Sequence, residues 1–276
     1  MVKKYKVIKE DLKSPYRNFQ YEIGQTYVCP DFDESDEECS HGFYATDLEG
    51  LPYAYRKGRK VFEVEMGGKE RKFNQYKHRW ETQTILREVP EGELRELLEK
   101  ESERVGYNLS EACFPLNPLT DVDHCEVTEK DIENLKKWSS VGASVGDSVW
   151  DSVWFSVGDS FWDSVRASVR ASVWVSVWDS VWDSVGASIG DSVGDSVGDS
   201  VGDSFWVYVN DSLYAYISSL FPNIKKWEGI YHEEGVNPFQ SGIDLWKRGL
   251  VPSFDGIDTW RLHAGKDALV VYEWKK

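Results

Sequence analysis

The sequence predicts an α+β N-terminal domain, followed by a tetrapeptide-repeat β-solenoid with helical caps and a small β-rich C-terminal module. Three observations lead to this prediction. Residues 1–126 mix strand-type alternation with an amphipathic helix pattern, residues 140–218 repeat a four-residue unit, and residues 219–276 are rich in aromatic side chains. A predicted capping helix, residues 127–139, joins the first two parts.

The N-terminal part contains four segments in which apolar and polar residues alternate, as they do in half-buried strands. These segments are Tyr5–Ile8, Tyr21–Val28, Lys60–Met66 and Glu81–Val89. A helix is predicted over Glu91–Val105, because Leu94, Leu97 and Leu98 fall on one helical face and acidic residues occupy the first turn.

The predicted capping helix begins with a capping-box pattern. Thr128 is the N-cap residue and Asp131 follows three positions later, ahead of the apolar residues Ile132, Leu135 and Trp138. We expect this helix to cover the open end of a stacked core.

The repeat has the form Asp-Ser-Val-Gly or Asp-Ser-Val-Trp and runs in four columns. Serine fills one column from Ser140 to Ser204 without a gap, and the next column is apolar throughout. The third column contains Gly, Trp or Arg, and the fourth is mostly Asp. We expect the Val column to point into the core and the Trp column to point at least partly outward.

Two physical arguments favour a β-solenoid for this repeat. Val, Ser, Asp, Trp and Gly are poor helix formers, losing roughly 0.5 to 1 kcal/mol per residue against Ala. A four-residue stripe also drifts by about 40° per repeat around a 3.6-residue helix. Packed helices are the alternative, because Gly recurs at every fourth position as in closely packed helix pairs and the apolar column continues in phase into a predicted helix ending at Phe221. That helix is expected to be capped by Asn210 or Asp211 and stopped by Pro222.

The C-terminal module, residues 219–276, is predicted to be β-rich. Its expected hairpin strands are Trp260–Leu262 and Ala268–Trp274.

Composition limits the classes of function. The net charge is −16, which argues against direct binding to nucleic-acid phosphates. No stretch approaches 18 apolar residues and the N-terminus lacks a signal-peptide core, so we expect a cytoplasmic protein that does not bind membranes. The four cysteines show no disulfide framework. Two zinc sites can be imagined, one from Cys29, Cys39 and His41 and the other from Cys113, His124 and Cys125. Neither set has the spacing of a zinc knuckle, so no metal is expected.

The charge is concentrated in the repeat, which carries eleven aspartates and two arginines. A second acidic cluster, residues 31–38, is expected to be a solvated loop. Rows of carboxylates beside rows of tryptophan suit a partner protein with a basic surface. The predicted partner-binding residues are Asp191, Asp195, Asp199, Asp203, Trp174, Trp178 and Trp182.

The N-terminal part also carries a family resemblance. YKVI at Tyr5–Ile8, FQYEIGQTY at Phe19–Tyr27, Cys39 followed by HGFYA, and KVFEVEMGG at Lys60–Gly68 resemble an uncharacterised domain common in phage and bacterial genomes. Relatives of that domain often carry short-period repeats after it. The resemblance covers roughly residues 1–90 and implies a phage-type or prophage-type accessory protein, with no assigned activity.

A more distant resemblance concerns Gly42–Gly68, which looks like a Gly-x-Tyr stretch of ADP-ribosyltransferases. It implies that Tyr44 lines an NAD pocket and that Tyr55 stacks on nicotinamide. A glutamate is also implied, for which Glu65 is the candidate beside Glu63 and Glu81. The first strand lacks the His or Arg that would hold the NAD ribose.

We therefore predict a non-enzymatic acidic repeat protein that engages or inhibits a host protein, of DNA-mimic or anti-defence type and without a cofactor. By resemblance, acidic solenoids that protect gyrase are a precedent. One alternative is an NAD-dependent ADP-ribosyltransferase that acts on a host protein. A further alternative is carbohydrate or surface binding through the Trp rows.

Overall fold

The computed structural model describes residues 2–37, 39–56, 58–73, 77–123, 126–144, 149–162, 181–182, 186, 189, 193 and 204–276. The chain forms two compact units, Met1–Phe114 and Pro115–Lys276. The sequence analysis placed its first boundary at residue 126.

The first unit is built on an antiparallel sheet of five strands. These are β1 (Val2–Lys9), β2 (Thr26–Val28), β3 (Phe43–Ala45), β4 (Arg59–Lys72) and β5 (His78–Val89). Their order is β1-β4-β5-β2, and β3 also pairs with β5. Of the predicted segment 21–28, the structure makes only the last three residues a strand.

Three helices accompany this sheet: α1 (Leu51–Ala54), α2 (Glu91–Val105) and α3 (Leu109–Cys113). The bounds of α2 are those predicted, and its Leu94 and Leu98 are buried. The helix ends at Val105 and is capped by Gly106, whose left-handed backbone (φ 82°) suits glycine.

One face of the sheet carries a core cluster that joins strands distant in sequence. It contains Ile8, Phe62, Val64, Met66, Trp80 and Ile85 from the strands, together with Tyr21 and Ala45. The backbones of Tyr5 and Thr46 also exchange two hydrogen bonds of 2.8 Å, so β1 meets β3 as well as β4.

The second unit contains four described helices and a three-stranded antiparallel sheet. The helices are α4 (Glu129–Ser144), α5 (Val149–Trp162), α6 (Ser204–Ser219) and α7 (Gln240–Lys247). The strands β6 (Val251–Phe254), β7 (Thr259–Ala264) and β8 (Leu269–Lys275) lie in the order β6-β7-β8.

The capping box predicted at the start of α4 is confirmed. The Asp131 carboxylate accepts hydrogen bonds from the Thr128 backbone nitrogen (2.9 Å) and hydroxyl (2.7 Å). Arg248 donates to the same carboxylate at 3.0 Å, which pairs a charge that is 2% exposed. The helix runs to Ser144 and so enters the repeat, beyond the predicted end at residue 139.

The predicted β-solenoid is wrong. Every described segment of the repeat is helical: the end of α4, all of α5, and α6, which begins at Ser204 ahead of the predicted cap at Asn210 or Asp211. Neither described sheet includes a residue of the repeat. The prediction that residues 127–139 cap a solenoid is therefore wrong as well.

The physical reason is that burial of the Ser and Val columns outweighs the weak helix propensity of these residues. The Val column is buried at every described position from Val149 onward, which confirms its inward orientation. Trp182 and Gly186 adopt π-helical conformation. Because a π turn contains more residues than an α turn, such turns bring the period closer to four and hold the stripe on one face.

The aromatic residues of the C-terminal part belong mainly to the core of the second unit. Tyr216 and Trp246 stack with ring centres 5.4 Å apart, and Trp246 donates its indole hydrogen to the carbonyl of Leu116 at 3.1 Å. Trp246 and Trp260 are 0% and 3% exposed. Among the helices of the described ranges, none has the length and apolar character that crossing a membrane requires.

Candidate functional site

Helix α5 shows how the four columns of the repeat are used. Val149, Val153 and Val157 are at most 2% exposed, and Ser152 and Ser156 beside them are 2% and 3% exposed. The Ser and Val columns therefore form the inner face of the helix.

The outer face of α5 carries the other two columns. Trp154 is 37% exposed and Phe155, at a position where most repeats have Asp, is 51% exposed. The Trp150 and Trp154 rings are 5.2 Å apart, because residues four apart are neighbours on a helix surface. The spacing of the repeat thus places aromatic rings in a row.

The serine column is a packing element that the sequence analysis did not identify. The Ser156 hydroxyl accepts a hydrogen bond from the Glu228 backbone nitrogen, and the Ser152 hydroxyl donates to the Glu228 carbonyl. Small hydroxyl side chains on the inner face can therefore bind the backbone of a neighbouring segment.

Of the predicted tryptophans, only Trp182 lies within the described residues. It is half-buried, and Gly186 one repeat later leaves the space that its ring occupies. A Cβ atom at Gly186 would lie 2.8 Å from both the Trp182 ring and Leu213. This contact explains why a Gly follows a Trp in the third column here.

The remaining predicted partner-binding residues lie outside the described residues. They are Trp174, Trp178, Asp191, Asp195, Asp199 and Asp203. Two other aspartates of the same column are described: Asp151 is half-buried, and Asp211 is 7% exposed, with burial raising its pKa to about 7. The Asp column is therefore not exposed along its whole length.

The residues implied by the transferase resemblance have separate surroundings. The Tyr44 ring stacks on Phe73 (6.4 Å between centres), whereas the Tyr55 ring packs edge-on against Phe114 (4.9 Å). Glu65 lies on β4 between Lys3 and Thr84 of the neighbouring strands. The structure brings no two of Tyr44, Tyr55 and Glu65 into contact.

The other two glutamates of the transferase resemblance, Glu63 and Glu81, take part in structural contacts. Glu63 accepts hydrogen bonds from Lys3 (2.6 Å) and Arg87 (2.8 Å), which hold its pKa below the usual range. Glu81 accepts from the Lys69 backbone nitrogen at 3.0 Å.

Arg79 anchors the acidic loop, which the sequence analysis expected to be solvated. Its side chain is fully buried and donates to the carbonyl oxygens of Ser35 and Glu37, each at 2.8 Å. Glu34 and Asp36 form ion pairs with Lys69 and Arg71. The loop is exposed yet fixed on the β4–β5 hairpin.

The cysteines do not assemble a metal centre among the residues that the structure describes. Cys29 donates to Asp31 at 3.3 Å, and His41 contacts the same carboxylate. Burial raises the pKa of Cys29 and of Cys113, which makes both thiols less reactive. His124 and Cys125 lie outside the described residues.

Ser253 and His263 form a pair that sequence reasoning missed. The hydroxyl lies 2.7 Å from His263 Nε2, and His263 Nδ1 lies 2.9 Å from the Ala268 carbonyl oxygen. Both side chains are at most 1% exposed. The pair joins β6 to β7 within the core, closed to a substrate.

Comparison with known proteins identifies only the N-terminal part. Residues 2–98 match a family described as a domain of unknown function (DUF7666). No curated protein matches the chain, and no solved structure matches it. The match spans β1 to β5 and the first half of α2, so this part of the chain resembles an uncharacterised domain, as the sequence motifs indicated.

Proposed function

We propose that this chain is a non-enzymatic binding protein whose acidic repeat engages a partner protein with a basic surface. The observation that supports this is the division of columns in α5: Ser and Val face inward, whereas Trp154 of the Trp column and Phe155 of the Asp column lie on the exposed outer face. In the sequence, Asp191, Asp195, Asp199 and Asp203 occupy successive positions of the Asp column, and on this proposal they bind the partner.

Charge supports the choice of partner. The repeat has eleven aspartates against two arginines, within a chain of net charge −16. A concentrated negative field accelerates association with a basic protein and repels nucleic acid, over a range of about 8 Å at physiological salt. The Trp column, in which Trp154 is exposed, adds apolar anchors, since Trp is enriched among residues that dominate binding energy.

The nature of the partner follows from the resemblance of the N-terminal part to a domain common in phage and bacterial genomes. On this proposal the partner is a host protein whose basic face normally contacts DNA, such as a defence or DNA-processing enzyme. The row of carboxylates competes with phosphates for that face.

The proposal is tested by affinity capture from host lysate with the full chain at low and physiological salt. In one variant Asp191, Asp195, Asp199 and Asp203 are changed to Asn. We expect this variant to lose most capture at low salt and to show a weaker salt dependence, because the screened attraction is reduced.

A charge-matched control separates local from global effects. Changing the exposed glutamates Glu22, Glu96, Glu99 and Glu103 to Gln removes the same total charge outside the repeat. Capture is expected to persist in this control. Equal capture by the wild type and the Asp variant would refute the proposal, and transfer of label from NAD that is lost in Tyr55→Ala would favour the transferase instead.

A further inference from the structure

Strand β2 is the last strand in the order of the five-stranded sheet, and it pairs with β5. Cys29, one residue beyond the strand, donates from its backbone nitrogen to the carbonyl of Glu81 in β5 at 2.9 Å. Hydrogen-bonded and non-bonded residues alternate along an antiparallel pair. Because Cys29 faces β5, Val28 and Thr26 turn their backbone groups away from β5.

These outward backbone groups are available for pairing. The Val28 N–H and carbonyl have no hydrogen-bond partner among the described residues, and the Thr26 carbonyl accepts the side-chain amide of Gln25 at 3.1 Å. Residues 22–26 are exposed, as is Val28. An exposed strand edge of this kind is a template on which another strand can pair.

The edge of β2 lacks the usual protection against pairing. Proteins commonly block an edge with lysine, proline or a bulge. The edge strand β6 contains Pro252, and β8 carries Lys275 and pairs with β7 through a bulge after Leu262. Residues 23–29, by contrast, include neither a charged side chain nor a proline.

Apolar side chains lie on and beside this edge. Phe19, Ile23 and Val28 are 42%, 55% and 61% exposed. The Phe19 ring packs edge-on against the ring of Tyr27 in β2, with centres 5.3 Å apart. An added strand can therefore gain apolar contacts for its alternate side chains as well as backbone hydrogen bonds.

The charge around β2 indicates the chemistry of the partner. Residues 18–55 contain nine acidic side chains and no lysine or arginine. Glu22 precedes the strand, and the acidic loop, residues 31–38, follows it. Lys69 and Arg71 compensate two charges of that loop by ion pairs. Basic side chains on an added strand are attracted to the remaining carboxylates.

The geometry points to β2 as a docking edge for an extended basic segment of a partner protein. The segment adds to the sheet as a strand. Its backbone pairs with the outward groups of Thr26 and Val28, its apolar side chains contact Phe19 and Val28, and its lysines or arginines lie toward the acidic residues that flank the edge. The inference is independent of the acidic repeat, which belongs to the second unit.

The test uses the full chain and an eight-residue peptide of alternating lysine and valine. Backbone amide signals of the isotope-labelled protein are followed by NMR during a titration. We expect the signals of Thr26 and Val28 to shift. A glutamate–valine peptide should leave them unchanged because the attraction is lost, and so should the lysine–valine peptide with methylated backbone nitrogens, which cannot donate hydrogen bonds.

Each contrary result overturns a stated part of the inference. Equal shifts with the glutamate–valine peptide overturn the choice of a basic partner. Equal shifts with the methylated peptide, or no shifts with the lysine–valine peptide, overturn strand addition at β2.

A matched pair of variants completes the test. Val28→Pro removes the outward N–H at a position where proline is tolerated, because this N–H does not bond to β5. Affinity at β2 should fall at least about tenfold in Val28→Pro and stay within about threefold in Val28→Thr, which keeps the N–H. Equal affinity in wild type and Val28→Pro overturns the inference. If Val28→Pro alters the circular dichroism spectrum, the peptide comparison decides.

The result can be separated from that of the capture experiment. The variant with four repeat aspartates changed to Asn should bind the lysine–valine peptide at β2 as the wild type does. Loss of the β2 shifts in that variant would overturn the independence of the two surfaces.

Discussion

The hydroxyl oxygen of Ser156 lies 2.6 Å from the backbone nitrogen of Glu228 and accepts its hydrogen bond. The same hydroxyl donates to the carbonyl of Ser152 one turn earlier, also at 2.6 Å. The serine column thus joins the segment around Glu228 to α5, which gives a physical role to a residue that recurs at every fourth position.

The first prediction concerns this contact. Ser156→Ala is expected to lower the free energy of unfolding by about 1 to 2 kcal/mol, because the Glu228 N–H loses its partner. Ser140→Ala is the matched control in the same column, exposed and bonded only within its own helix, and should change stability by less than about 0.5 kcal/mol. Thermal denaturation of both variants measures the difference, and equal effects would contradict the role given to Ser156.

The second prediction concerns the two faces of α5. Val153→Asp should destabilise the protein by about 3 to 5 kcal/mol, because an unpaired charge would enter a fully buried position. Phe155→Asp introduces the same group at an exposed position and should cost less than about 1 kcal/mol. Urea denaturation followed by circular dichroism checks both values. A smaller loss for Val153→Asp than for Phe155→Asp would invert the assignment of the faces.

The third prediction uses two helical glycines. A Cβ atom at Gly242 in α7 would lie 2.8 Å from the buried Trp138 ring, whereas one at Gly92 in α2 meets nothing within 4 Å. Gly242→Ala should therefore lower stability by about 1 to 3 kcal/mol through overpacking. Gly92→Ala should raise it by up to about 1 kcal/mol through helix propensity. Differential scanning calorimetry should show melting temperatures that move in opposite directions.

The fourth prediction is a pH dependence from Lys6. Its folded pKa of about 7 lies below the ordinary value of 10.5, so between these pH values the unfolded chain holds a proton that the folded chain lacks. The free energy of unfolding gains a contribution that rises with pH across this window. Lys6→Met should therefore be more stable than the wild type at pH 6, by of the order of 3 kcal/mol, and this advantage should shrink toward pH 10. Urea titrations at pH 6, 8 and 10 measure it, and an unchanging difference would exclude a depressed pKa.

Local signals were sufficient for several elements. Helix α2 was predicted with its observed bounds because its apolar stripe and its acidic first turn lie within one segment. The capping box of Thr128 and Asp131 is local in the same way. Strands β4 and β5 were located by alternation, although both extend beyond the predicted residues.

The sequence also predicted which residues of the repeat share a column, whereas it did not predict the secondary structure of the repeat. Strict four-residue spacing put most Val residues of the repeat in one column, and the described part of the chain buries that column from Val149 onward. The same composition is a poor helix former, so intrinsic propensity indicated stacked strands. Contacts of α5 with α6 and with the segment at Glu228 supply the burial that makes the helix stable, and such contacts are absent from any single four-residue unit.

The sequence by itself determined which residues share a face in two elements: the columns of the repeat and the stripe of α2. Only the tertiary structure decided the partners of individual side chains: Asp47 for Lys4, the Tyr44 carbonyl for Lys6, the loop carbonyls for Arg79, and Gly186 against Trp182. The reason is that a periodic pattern depends on backbone geometry over a few residues, whereas the free energy of a helix, a buried amine or a packed ring depends on groups that lie far away in the chain.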